Sequence, residues 1–206
     1  MTDQEIHRIC KEYGIQNYTI NNGLVDVDGN IDISHKQLSK LPLNFGTVNG
    51  YFHCYKNQLK SLGGAPKEVN GAFHCDNNNL TSLEGAPNEV NGNFYCHDNN
   101  LKSLEGAPNK VNGNFYCSNN QLETLEGAPK EVGGNFHCSY NQIITLEGAP
   151  NRVIGYFDCS DNKLKSLKYL NDCREVYFED NPCYNKLKYL SIKQIINHYK
   201  LKEILG

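Results

Sequence analysis

From about residue 48 to residue 167 the chain repeats one 21-residue unit, V-x-G-x-F-x-C-x-x-N-x-L-x-x-L-x-G-A-P-x-x. A fixed period of this length restricts the fold to a solenoid, in which each unit makes one coil and buries its apolar side on its neighbours. The valines are Val48, Val69, Val90, Val111, Val132 and Val153, and the phenylalanines are Phe52, Phe73, Phe94, Phe115, Phe136 and Phe157. The asparagines are Asn57, Asn78, Asn99, Asn120, Asn141 and Asn162. Two leucine columns follow, Leu59 to Leu164 (with Ile143 in one unit) and Leu62 to Leu167. Six of the nine cysteines, Cys54, Cys75, Cys96, Cys117, Cys138 and Cys159, also recur every 21 residues. With no C-x-x-C pair and an odd total, this spacing argues against zinc and against a paired disulfide framework. It predicts reduced, buried thiols that pack as small apolar groups.

Each column has a physical reading. F-x-C alternates with a period of two, so it predicts a short strand with Phe and Cys buried and the residue between them facing out. Stacked coils place these strands side by side in a parallel sheet. A buried Asn at the following turn is tolerable only if its amide is hydrogen-bonded, so a ladder of asparagines bonding the backbones of adjacent coils is expected. Leu-x-x-Leu fills the far side of the core, and Gly-Ala-Pro turns the chain back.

The F-x-C-x-x-N-x-L-x-x-L pattern resembles the leucine-rich repeat core L-x-L-x-x-N-x-L, with Phe and Cys in the strand positions. The short unit with its Pro is similar to bacterial leucine-rich repeats. Over residues 24–183 the chain looks like the leucine-rich repeat proteins carried by many tailed bacteriophages. The resemblance implies a binding scaffold with a parallel β-sheet on its concave face. One departure stands out: Val lies four residues before Phe, where the common repeat has Leu three before. The intervening Gly50, Gly71, Gly92, Gly113, Gly134 and Gly155 are expected to absorb the extra residue as a bulge or bend.

Both ends depart from the repeat, as the terminal coils of a solenoid require. Residues 1–28 are predicted to form an N-terminal cap, residues 29–183 the solenoid and residues 184–206 a helical C-terminal cap. Thr2-Asp3-Gln4-Glu5 matches a capping box opening a helix to about residue 13, with Ile6, Ile9 and Cys10 on one face and Gly14 ending it. A β-hairpin follows, with Tyr18-Thr19-Ile20 and Leu24-Val25-Asp26-Val27 flanking Asn21-Asn22-Gly23. The first repeat is degenerate, with Ile31 and Ile33 for Phe and Cys and Lys36 in the Asn position, while Leu38 and Leu41 are kept. At the far end Val176 and Phe178 are expected on a last strand, and Asp180-Asn181-Pro182 echoes the Asn turn. Ser191-Ile192-Lys193-Gln194 opens a helix to about Ile204, whose Ile195, Ile196, Tyr199, Leu201 and Ile204 cover the core. Cys10, Cys173 and Cys183 have no reading beyond packing in the caps.

The variable columns are expected to face water. The outward strand position reads His53, His74, Tyr95, Tyr116, His137 and Asp158, with Tyr177 next. The column after Cys contains Tyr55, Asp76 and His97, and the column after that contains Tyr140 and Asp161. Together these twelve residues are the candidate partner-binding positions, on a stripe about 30 Å long at the strand spacing. Tyr gives large contact area and a polar tip at low entropic cost, although outward strand positions also favour Tyr for its β-propensity alone. Asp76, Asp98, Asp158, Asp161, Glu179 and Asp180 face Lys56 alone, which suits a basic or amphipathic protein and repels long nucleic acid.

Enzymatic readings find little support. His53, His74 and Asp76 are the nearest approach to a metal site, but no motif fixes a third ligand. Buried thiols are inert, Asp158 and Asp161 sit in no acid–base framework, and no phosphate-cradling Gly loop occurs. The net charge of −3, the lack of any apolar run near the ~20 residues of a membrane span and the absence of an apolar leader in residues 1–20 suggest a cytoplasmic protein. The expectation is therefore a monomeric, non-enzymatic protein-binding scaffold without metal or cofactor. The resemblance adds a host-derived target, such as an enzyme or defence protein that the chain inhibits in the host cytoplasm. Two alternatives are a small-molecule or nucleotide binder that stacks its ligand on the Tyr/His stripe, and a structural, self-associating protein.

Overall fold

The computed structural model describes the backbone of residues 1–205 and the side chains through residue 199. Helix α1 (Asp3–Glu12) leads into strands β1 (Tyr18–Asn21), β2 (Leu24–Val27), β3 (Ile31–Asp32) and β4 (Phe45–Val48). Two short strands per coil follow: β5 (Phe52–His53), β6 (Glu68–Val69), β7 (Phe73–His74), β8 (Glu89–Val90), β9 (Phe94–Tyr95), β10 (Lys110–Val111), β11 (Phe115–Tyr116), β12 (Glu131–Val132), β13 (Phe136–His137), β14 (Arg152–Val153) and β15 (Tyr156–Asp158). Strand β16 (Glu175–Tyr177) and helices α2 (Tyr184–Leu187) and α3 (Ile192–Leu205) close the chain.

The coils stack into a parallel solenoid with two eight-stranded sheets. One, sheet B, runs β3-β5-β7-β9-β11-β13-β15-β16 and contains the F-x-C strands. The other, sheet A, runs β1-β2-β4-β6-β8-β10-β12-β14. Register is constant along the repeat, with Phe52 opposite Phe73, Phe73 opposite Phe94 and Phe94 opposite Phe115.

Sheet A corrects the expected bulge. The Val column does not extend the F-x-C strand; it forms a strand of its own with the preceding residue, as in Glu68–Val69 paired with Glu89–Val90. The intervening glycine is the corner between the sheets. Gly71 N–H donates to Gly50 O at 2.9 Å, Gly92 to Gly71 at 3.0 Å and Gly113 to Gly92 at 3.1 Å. A Cβ on Gly71 would lie 2.7 Å from the Gly50 carbonyl, so close stacking of backbones, and not a special φ, selects glycine here. Conformation does select the glycine of Gly-Ala-Pro. Gly85 and Gly106 have φ of +89° and +85°, and Ala86 and Ala107 N–H donate to Leu83 and Leu104 O at 2.9 Å. This is the left-handed third position that a type II turn demands.

The asparagine ladder forms as expected. Asn120 Nδ2 donates to Cys117 O in its own coil and to Cys96 O in the previous one, both at 3.1 Å, while its Oδ1 accepts from Leu101 N–H at 2.9 Å. The same three bonds recur at Asn78, Asn99, Asn141 and Asn162. Asn181 continues the ladder into the last coil, and at the other end Asn57 bonds the backbones of Lys36 and Leu38. Inside the ladder the Phe rings stack face to face at 5.0–5.4 Å between successive coils. The Cys and Leu columns beside them are fully buried.

In sheet B the buried residue of each coil donates its N–H to a carbonyl of the next. Cys54 N–H meets His74 O, Cys96 meets Tyr116 O and Cys159 meets Tyr177 O, at 2.8–2.9 Å. At the N-terminal end, Thr2 and Glu5 form the capping box of α1, which buries Ile6 and Cys10. Asn22 and Gly23, both at positive φ, turn the hairpin, and β2 joins sheet A beside β4. At the C-terminal end α3 substitutes for a coil: Tyr199 Oη accepts from Leu167 N–H at 3.4 Å, where Leu104 uses Glu126 O. Ile195 is fully buried and Ile196 partly so, whereas the side chains of Leu201 and Ile204 lie outside the described residues.

Replacing a rung should cost far more than replacing a surface amide. Asn120→Ala strands Leu101 N–H in the interior and leaves Cys96 O and Cys117 O with one amide donor each, from Asn99 and Asn141, an expected loss of about 2 kcal/mol. Asn112→Ala, which breaks only an exposed amide contact to Asn91, should cost under about 0.5 kcal/mol. Urea unfolding of both variants checks this, and equal losses would contradict it.

Candidate functional site

The outward residues of sheet B form a continuous run of rings. His74 stacks on Tyr95 at 3.9 Å, Tyr95 on Tyr116 at 4.6 Å and Tyr116 on His137 at 4.5 Å. His53 meets His74 edge-on at 4.4 Å and itself stacks on Tyr51 at 4.0 Å. Past His137 the column has Asp158, and Tyr156 bridges the gap, touching His137 at 5.0 Å and Tyr177 at 5.3 Å, both edge-on. Tyr51 and Tyr156 therefore extend the stripe at both ends, although they sit one position before Phe. Along its centre the ring faces cover one another and His137 Nε2 is buried, so ring edges and phenol hydroxyls are what remain for a partner.

The column before Phe, expected to face water, supports these rings. Asn93 Nδ2 donates to Tyr95 Oη at 2.9 Å and Asn114 Nδ2 to Tyr116 Oη at 3.1 Å. The Oδ1 atoms accept from the backbone of the next coil, Asn93 from Asn114 at 2.8 Å and Asn114 from Asn135 at 2.7 Å. The sequence signal was present as Asn-x-Tyr, a spacing that puts both side chains on one face of a strand.

Imidazole–carboxylate contacts flank the run. Asp76, although expected to point outward, is only 6% exposed. His74 Nδ1 lies 3.2 Å from Asp76 Oδ1, outside hydrogen-bond alignment, and His97 Nε2 lies 3.7 Å from Oδ2. His137 Nδ1 lies 3.7 Å from Asp158 Oδ2. Burial works against the charge of Asp76, but His74, Asn77 and His97 outweigh it and hold the carboxyl below its ordinary range. Asp158 is likewise depressed, burial being overcome by His137 and by two hydrogen bonds from Ser160. Burial, then the neighbouring His74, pushes His53 below its ordinary value. Tyr55 reaches both His53 and His74 through ring contacts.

Tyr140 and Asp161 stand apart. Their column, with Lys56, Asn77, Asp98 and Asn119, has φ of +50° to +54°. Left-handed backbone favours Asn and Asp, which explains most of what looked like free variation there. Tyr140 occupies this conformation against its preference and is 59% exposed.

Other chemistry has little to build on. Burial pushes the six ladder thiols far above their ordinary range, and Cys173 is pushed up to about 11. Among the described residues no group of three or more His, Cys, Asp and Glu side chains is arranged to hold a metal ion, and no helix is long and apolar enough to cross a membrane.

The architecture is that of a leucine-rich-repeat-type solenoid, defined by its coil topology and buried asparagine ladder. No family model matches the chain, and neither does any curated protein. Among solved structures it is similar to YopM from Yersinia enterocolitica WA-314, with 16% identity and a TM-score of 0.37. That alignment covers 88% of this chain and 56% of the other, so the chain spans little more than half the length of that protein.

Two measurements probe the site. His53 is lowered from a usual 6.5, so the unfolded chain takes up its proton first and stability falls as pH drops through that value. The depressed Asp76 and Asp158 contribute above their usual 3.8 and are lost only below it. Lowering the pH from about 7 to about 5 should therefore lower the urea midpoint, and His53→Gln should make that loss smaller. Tyr140→Asn should raise stability by about 1 kcal/mol by relieving the left-handed backbone, read from the same midpoints.

Proposed function

We propose that this chain is a non-enzymatic interaction scaffold that docks a protein partner on the outward face of sheet B. The observation that carries the reading is the continuous run of rings from Tyr51 to Tyr177, packed against one another and held at its centre by Asn93 and Asn114. A surface ordered before binding loses little side-chain entropy on association. His53, Tyr55, His74, Asp76, Tyr95, His97, Tyr116, His137, Asp158 and Tyr177 line this face, with Tyr140 and Asp161 at its corner. Its carboxylates favour a partner with basic groups. The resemblance to phage-carried leucine-rich repeats supports a host-derived target, an enzyme or defence protein met in the host cytoplasm and blocked by a monomeric chain. Stacking of a nucleotide base is disfavoured, because the central ring faces are already covered by their neighbours.

The test is capture from host lysate with three baits. Wild type and a sheet A control (Glu89→Ala with Lys110→Ala) should retain one common protein that Tyr95→Ala, Tyr116→Ala and His137→Ala together lose by about tenfold or more. Retention by the triple variant would move the site off this face.

A further inference from the structure

We infer that the C-terminal edge of sheet B is a strand-addition site for an extended, lysine- or arginine-containing peptide segment. This deepens the reading above by naming the partner's contact element, and it rests on that reading. Its basis is the direction of the ladder. In every coil the buried strand residue, the next buried residue and the left-handed residue donate N–H to the following coil, as Phe115 does to Asn135 O, Cys117 to His137 O and Asn119 to Ser139 O. In the last coil these positions are Val176, Phe178 and Asp180. Strand β16 is the edge of sheet B, and these three in-line N–H groups find no acceptor among the described residues.

Among the described residues the C-terminal cap leaves this edge open. Among the described residues helix α3 takes the place of a coil on the leucine side, through Ile195 and Tyr199. Tyr184 covers Phe178, with ring centroids 5.3 Å apart. Val176 stays half-exposed, although every Phe in its column is at most 2% exposed. At the opposite end Ile31 is 1% exposed, so its column is covered there in a way that Val176 is not.

Charge selects the occupant. Glu175, Tyr177 and Glu179 alternate with Val176 and Phe178, and all three are exposed. Between residues 172 and 182 Arg174 is the single cation, against Asp172, Glu175, Glu179 and Asp180. A strand laid on this edge accepts the N–H groups of Val176 and Phe178 with its carbonyls. Its inward side chains cover Val176, and its outward ones fall beside Glu175, Tyr177 and Glu179. Alternating Lys and Val meets both faces.

The probe is acetyl-Lys-Val-Lys-Val-Lys-amide, added to the full chain while amide hydrogen exchange is followed by NMR. Protection of Val176, Phe178 and Asp180 should rise by about tenfold at saturation. Val176→Pro removes one outward N–H without touching the bonds from β16 to β15, since those use Glu175 and Tyr177. It should weaken the peptide by about tenfold, as should Glu175→Lys with Glu179→Lys, which keeps the backbone intact. Three results would overturn the inference. One is no protection at millimolar peptide. Another is equal affinity for a peptide N-methylated on its pairing edge, which would mean charge attraction alone. The third is protection that rises with protein concentration without peptide, which would make a second copy the occupant. The stripe variant at Tyr95, Tyr116 and His137 should bind the peptide unchanged, so failure of either site is seen separately.

Discussion

Each coil from Asn57 to Asn181 contributes one buried primary amide, and the solenoid's geometry follows from where that amide must reach. Asn99 holds Cys96 O in its own coil, Cys75 O in the coil before and Leu80 N–H across the turn. Those bonds fix both the height of one coil above the next and its rotation about the axis. A shift by one residue would bring a different side chain opposite and leave the amide unsatisfied in the interior, at a cost of about 1–3 kcal/mol for each stranded group. Identical residues therefore lie directly above one another. The other ladders depend on that register: Phe on Phe, Gly on Gly at the corner, and outside, ring on ring.

Strict register has a consequence for the surface. An outward residue in one coil meets its counterpart in the next at strand spacing, whether or not that contact was selected for binding. Rings stack, as Tyr95 does on Tyr116, and amides chain together, as Asn91 does with Asn70. Like charges also meet, as Glu68 faces Glu89. The outer stripe is thus partly a structural product of the repeat. What sets it apart is the support beneath it: Asn93 and Asn114 hold the phenol oxygens of Tyr95 and Tyr116 while also serving the backbone.

Much of this was legible in the sequence because period and burial are coupled. The Phe, Cys, Asn and Leu columns repeat without a gap and are the core; the asparagine ladder, the capping box at Thr2 and the hairpin turn at Asn22-Gly23 follow from local chemistry. The second sheet was not legible, since two residues such as Glu68–Val69 are too short to show an alternation. A glycine two positions before a strand reads equally as a bulge or as a corner. Asp76 was misplaced for a related reason. Its column is half-buried in most coils, as at Tyr55 and Ser118, and nothing local shows that two histidines from neighbouring positions close over Asp76.

The same ladder that gives the protein its uniformity also makes its two ends unequal. Bonds donated forward along the stack are completed by the next coil everywhere except at the last. There the chain must supply a substitute, and it does so unevenly. Tyr199 answers for the missing coil at Leu167, and Tyr184 covers Phe178, while β16 retains an outward row of donors beside Glu175 and Glu179. Short length and charge keep such an edge from pairing with apolar strands. At the inferred strand-addition site, those same carboxylates are what would favour basic extended segments over acidic ones. An edge of this kind is selective because it is charged, and it lies at the end of the aromatic stripe where Tyr156 and Tyr177 meet. A partner docked along sheet B, as proposed, meets at its C-terminal end backbone N–H groups that find no acceptor among the described residues.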